Sequence, residues 1–135
     1  LWQSASRMVL GWAQAIDGDA RGIERIQASA ARAQDVMPSV MGAFLYALAE
    51  AYGFLDESSA QLKTIDVALE TTAKVGDQLH QADLYRLRAE ALLRLGHHEQ
   101  AGAAFDTALR IAKQQGALAI TRRIKDGLEL LSGVN

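Results

Sequence analysis

The sequence predicts an all-α chain of about seven helices, arranged as antiparallel pairs stacked side by side. Three observations carry this. Proline occurs once, at Pro38, while alanine occurs 25 times and Leu, Glu, Arg and Gln fill much of the second half. These are strong helix formers. No stretch alternates apolar and polar residues as a half-buried strand would. Turn-forming residues recur at six places and divide the chain into segments of about four helical turns each.

The first helix runs to Asp17-Gly18-Asp19 and the second to Met37-Pro38. A proline ends a helix by removing a donor and by forcing the residue before it into extended backbone. The third helix reaches Asp56-Glu57-Ser58-Ser59, where the serine hydroxyls are expected to cap the fourth. The fourth ends at Gly76-Asp77, and Asp77 is expected to cap the fifth. The fifth ends at Gly96-His97-His98 and the sixth at Gly116. Gly76, Gly96 and Gly116 suit helix C-termini, where left-handed backbone is needed. In the last helix, Ala117 to Leu131, residues Ile120, Ile124, Leu128 and Leu131 stand at helical spacing. No linker divides the chain, so residues 1–135 read as one domain. Its units are about 1–37, 38–76 and 77–116, with a capping helix over 117–132.

Self-comparison exposes an internal repeat. Leu48-Ala49-Glu50-Ala51-Tyr52 matches Arg88-Ala89-Glu90-Ala91-Leu92 at an offset of 40 residues. At the same offset Asp56 meets Gly96, Ile65 meets Phe105 and Ala68 meets Ala108. Leu10-Gly11 matches Leu48-Ala49, and Gly18 matches Asp56, at an offset of 38. Gly22 and Ile26 then take the places of Gln61 and Ile65. Gly11, Ala49 and Ala89 are small where paired helices must approach; Ala68, Ala101 and Ala108 do the same on the second helices. Tyr52, Leu92, Ile65 and Phe105 are expected to fill the space between pairs. One pair cannot bury its apolar face alone, so the pairs stack.

These residues resemble the tetratricopeptide repeat. In the third unit Tyr85, Ala89, Leu92, Gly96, Ala101, Phe105 and Ala108 stand at the family's spacing. The second unit has Asp56 for the turn glycine and Gln61 for a usual alanine. The offset exceeds the family's roughly 34 residues, which implies extended helices. The resemblance implies a right-handed α-α superhelix. The strings Ala49 to Gly53, Tyr85 to Leu93 and Ala108 to Ala117 are also similar to the C-terminal repeats of large bacterial AAA/STAND-type ATPase regulators. In those proteins a class III nucleotide cyclase or a DNA-binding domain is the output. The chain opens at Leu1 and reads as a segment of something longer, so any such activity is expected elsewhere in the parent protein.

Composition narrows the function classes. Lys and Arg total 14 against 16 Asp and Glu, a net charge of −2. Charge-driven binding to nucleic acid needs the opposite balance, so no direct nucleic-acid contact is expected. The absence of cysteine excludes disulfides, thiol catalysis and thiolate zinc sites. No run approaches the ~18 apolar residues of a membrane span, and no basic stretch precedes an apolar one at the start. A cytoplasmic location without membrane contact is expected.

No arrangement of residues announces catalysis. His97 and His98 are adjacent in a turn, and adjacent turn side chains rarely converge on one metal. Phosphate transfer through His80 would require an exposed histidine on an up-and-down bundle. Glu50 and Glu90 are repeat-equivalent carboxylates, expected to lie in a row along a polar groove and not to act as an acid–base pair. No glycine-rich phosphate loop and no strained nucleophile turn is present. Arg110, Lys113, Arg122, Arg123 and Lys125 form a basic stretch without acids, read as a solvated face. No catalytic residue, cofactor or metal site is expected.

In tetratricopeptide folds the first helix of each pair lines the concave groove. Carried over by residue, this gives Met8 and Trp12, then Tyr46, Glu50 and Gly53, then Arg86, Glu90, Leu93 and Arg94. That surface suits a peptide or helix with an apolar anchor and a charged flank. Arg86 and Glu90 are expected to tolerate joint replacement by alanine without loss of the fold. Trp2 and Trp12, ten residues apart, read as nearly one face of the first helix. A patch at Leu1, Trp2, Met8 and Val9 would favour a homodimer through the N-terminal face. The function expected is a protein-interaction or scaffold module, bound to a protein, a peptide or another domain of its own chain. Its alternative is a small-effector sensor controlling an attached output domain.

Overall fold

The structure, a computed structural model, describes residues 1–133. The last two residues of the 1–135 unit lie outside the described residues. Seven α-helices follow in order: α1 (Trp2–Ile16), α2 (Arg21–Val36), α3 (Met41–Phe54), α4 (Ser58–Val75), α5 (Gln81–Arg94), α6 (His98–Gln115) and α7 (Leu118–Gly133). A single 3-10 turn, Pro38–Val40, precedes α3. Among the described residues there is no strand. The fold is all-α, as the sequence predicts.

Consecutive helices pack on each other, and α1 touches α3, α3 touches α5 and α5 touches α7. The odd-numbered helices therefore lie side by side and form one wall of the molecule. Within the first pair the chains run antiparallel and almost touch. A Cβ on Gly11 would lie 2.7 Å from the carbonyl oxygen of Gly22, and one on Gly22 would strike the carbonyl oxygen of Gly11. Only glycine permits that approach. At the equivalent places stand Ala49 and Gln61, then Ala89 and Ala101, all buried.

Ile26, Ile65 and Phe105 occupy one repeat position, and they are among the largest fully buried side chains. Each belongs to a separate cluster: Ile26 with Ala15, Leu48 and Ala51; Ile65 with Ala49, Ala68 and Leu84; Phe105 with Ala89, Leu92, Ala108 and Ile124. The core is thus a row of similar cells. The end cell shows what a neighbour contributes: Leu48 is 8% exposed, while its equivalent Leu10 is 53% exposed.

The turn after each odd-numbered helix repeats too. Gly18, Asp56 and Gly96 all have positive φ, at 82°, 57° and 84°. In each, the next N–H donates to a carbonyl five residues back: Asp19 to Gln14, Glu57 to Tyr52, His97 to Leu92, all at 2.9 Å. This closure satisfies the orphan carbonyls of the helix end. Gly76 and Gly116 close α4 and α6 in left-handed backbone, as expected. Met37, before Pro38, is extended at φ −151°.

Three local expectations require correction. Ser58 and Ser59 do not cap α4: Glu57 occupies the cap position without a side-chain bond. Ser58 Oγ instead accepts from Arg94 Nε at 3.2 Å. Asp77 does not cap α5, which starts at Gln81; its Oδ1 accepts the Leu79 N–H at 2.9 Å and shapes the connecting turn. Trp2 and Trp12 do not share a face. Ten residues at about 100° each leave them roughly 80° apart. Trp2 is 84% exposed, while Trp12 makes a T-shaped contact with Phe54, with ring centroids 5.9 Å apart.

Candidate functional site

Three clefts follow the wall of odd-numbered helices. The first, about 300 Å³, lies between α1 and α3 and is closed at one end by His80 from the α4–α5 turn. The second, about 240 Å³, lies between α3 and α5. The third, about 450 Å³, lies between α5 and α7. Glu50 lines the first and second; Arg86, Glu90 and Arg94 line the second and third. Neighbouring clefts therefore share walls, and the three form a row from α1 to α7.

The sequence-derived groove residues fall along this line. Met8, Trp12, Tyr46 and Glu50 line the first cleft. Gly53 lines the second with Glu50, Arg86, Glu90 and Arg94. Leu93 lines the third. The structure adds Val9, Ala43 and His80 to the first cleft, and Arg123, Gly127 and Leu130 to the third. The last three stand at helical spacing on α7. A first-helix rule misses them because it treats the last helix only as a cover. His80 was missed because its place depends on the Asp77 turn.

Each charged residue has a distinct environment. Arg86 is only 7% exposed. Its Nε donates to Asp83 Oδ1 and its Nη1 to Glu90 Oε2, both at 2.8 Å. Burial alone would depress the Arg86 pKa, but the carboxylates of Glu90 and Asp83 outweigh it and hold it above the ordinary value. Arg86 is thus an internal ion, and its joint replacement with Glu90 by alanine would still leave the nearly buried Asp83 carboxylate without this partner. Removing the guanidinium strands two carboxylates, one of them nearly buried.

Among the described residues Arg94 has neutral partners. It donates to Ser58 Oγ at 3.2 Å and to Gln61 Oε1 at 2.6 Å. Gln61 in turn donates from Nε2 to the Ala49 carbonyl at 2.9 Å. A Cβ on Gly53 would lie 2.6 Å from that same Nε2, so glycine at 53 makes room for the Gln61 amide.

Glu50 and Glu90 do not act on a common partner. Glu50 Oε1 accepts from Trp12 Nε1 at 3.0 Å, whereas Glu90 pairs with Arg86. The rings of Tyr46 and His80 pack with centroids 5.5 Å apart and planes tilted by 33°. Burial, then the charges of Glu50 and Asp83, raise the Tyr46 phenol well above its ordinary pKa. His80 Nδ1 is buried without a hydrogen-bond partner and lies 3.7 Å from Asp77 Oδ2. His97 and His98 are exposed at the start of α6. Arg110, Lys113, Arg122 and Lys125 are exposed, while Arg123 approaches Asp83 at 4.0 Å.

Among the described residues no group of His, Asp and Glu could hold a metal ion, and no helix is long and apolar enough to cross a membrane. Comparison with models of known families, with curated proteins and with solved structures finds no match for this chain.

Proposed function

We propose that the chain is a non-catalytic, tetratricopeptide-like interaction module, and that a protein segment lies along the row of three clefts. The observation that carries this is the row itself, in which neighbouring clefts share lining residues from α1 to α7. A segment laid there meets aromatic and apolar side chains first and charged ones further on, which suits anchored recognition of an extended or helical peptide. The repeat offsets of 38 and 40 residues and the row of Ile26, Ile65 and Phe105 support the repeat-family part of the reading. Its setting in a cytoplasmic bacterial signalling or transcriptional regulator rests on the sequence resemblance. The clefts open to solvent, and a small-effector sensor is better served by a closed chamber.

Photo-crosslinking in cells tests this. A benzophenone side chain replaces Met8 or Leu93 in the groove, or the exposed Lys63 on α4 or Asp106 on α6. Discrete products from positions 8 and 93, and none from 63 and 106, are expected. Products from the outer positions alone overturn the assignment. Thermal shifts with free metabolites, in the absence of such products, would favour the sensor.

A further inference from the structure

The first cleft differs in character from the other two. Trp12, Tyr46 and His80 line it, with Met8 and small residues between them. Contacts hold the rings: Trp12 by its bond to Glu50 and a T-shaped contact with Phe54, His80 by a tilted contact with Tyr46. The carboxylate in this lining is that of Glu50, half-buried in the same cleft. One of its oxygens accepts the indole N–H, and among the described residues no cation pairs with it. The nearby Arg86 is already committed to Asp83 and Glu90.

A carboxylate half-removed from water and held among aromatic rings is costly without a counter-charge. The faces of the rings carry negative potential and attract cations, more strongly where water is excluded. Both features are complementary to a cation. At about 300 Å³ the cleft is at the small end of ligand sites. That suits one long side chain, and the second cleft, which shares Glu50 with it, lies next along the groove for the rest of such a partner.

We propose that the Trp12–Tyr46–His80 cleft receives a basic side chain, arginine or lysine, of a partner protein. Its charge meets Glu50 and its stem lies against the rings. This rests on the groove reading and specifies its anchor: a cationic residue at the α1–α3 end of the bound segment. A guanidinium is favoured, since its plane both stacks on aromatic faces and hydrogen-bonds a carboxylate.

The test uses the full chain with Trp2→Phe, so that Trp12 is the only indole. N-acetyl-arginine methylamide is titrated and followed by indole fluorescence and by amide chemical shifts. N-acetyl-citrulline methylamide supplies the same shape without the charge, and choline supplies a free organic cation. Saturable binding of the arginine probe is expected, at least tenfold tighter than citrulline. Glu50→Gln, which can still accept from the indole, should lose at least tenfold, and Lys63→Ala, on the exposed side of α4, should leave binding unchanged. Equal binding of citrulline, an unaffected Glu50→Gln, or no saturation by ~10 mM overturns the proposal. Choline binding without arginine binding overturns it in favour of a small organic cation. If the arginine probe binds while positions 8 and 93 yield no crosslinks, the cation site stands and the groove reading falls. Trp12→Leu, read by chemical shifts alone, repeats the test without relying on Glu50.

Discussion

Arg94 on α5 donates to the side-chain oxygen of Gln61 on α4 at 2.6 Å, and Gln61 hands the connection on to the Ala49 carbonyl on α3. The second and third helix pairs are thereby joined by directional bonds beneath the groove. Gln61 is 1% exposed, so both ends of its amide must be satisfied inside the protein.

That arrangement predicts a sign reversal at Gly53. In the natural protein Gly53→Ala forces its Cβ against the Gln61 amide and destabilises by about 1–2 kcal/mol. With Gln61→Ala already in place the clash is gone. Gly53→Ala then stabilises by about 1 kcal/mol through helix propensity. Urea unfolding of the four proteins measures the coupling, and additive effects would contradict the geometry.

Arg86→Ala should cost about 3 kcal/mol, because Asp83 and Glu90 lose their buried partner. Glu90→Gln, at the more exposed end of the network, should cost less than 1 kcal/mol. Denaturant midpoints at constant m-value provide the comparison.

Asp56 occupies a left-handed turn position that is glycine in the two equivalent turns. An L side chain there is strained by roughly 1–2 kcal/mol, somewhat less for aspartate. Asp56→Gly should therefore stabilise by about 0.5–1 kcal/mol, raising the melting temperature. Asp56→Val should lower it.

The raised Tyr46 pKa makes the domain sensitive to alkali. The unfolded phenol loses its proton near the ordinary value of 10.0, while the folded one keeps it. Above that pH the folded state holds more protons, so stability falls as pH rises. Tyr46→Phe should flatten this part of the profile. An unchanged slope between pH 10 and the folded pKa would place the phenol in a more open environment.

Trp2, Val9 and Ile16 recur every seven residues on α1, and all are exposed. Such a stripe favours self-association. Sedimentation should reveal a dimer that grows with concentration and is abolished by Trp2→Lys with Val9→Lys. A wild-type monomer at all concentrations would remove the homodimer from consideration.

The helices and their breaks were legible because each turn uses residues with a strong local preference, such as Gly18, Pro38 and Gly116. The core row was legible because Ile26, Ile65 and Phe105 recur in register. What the chain alone did not reveal is pairing at a distance. Arg86 reads as a groove charge until Asp83 and Glu90 are seen to enclose it. Gln61 reads as a departure from a small residue until Gly53 is seen to vacate its space. The serines at 58 and 59 suggested a cap because local preference favours one, but a partner 36 residues away claimed the Ser58 hydroxyl.

At the far end of the molecule, α7 sits on the ring of Phe105 because Gly127 offers no side chain there; an added Cβ would meet the ring edge. The breadth of the third cleft is thus set by an atom that is missing. A single alanine at 127 would act as a shim, lifting Arg123 and Leu130 away from Leu93. The domain's fit for a partner can therefore be retuned at that end while every surface residue keeps its identity.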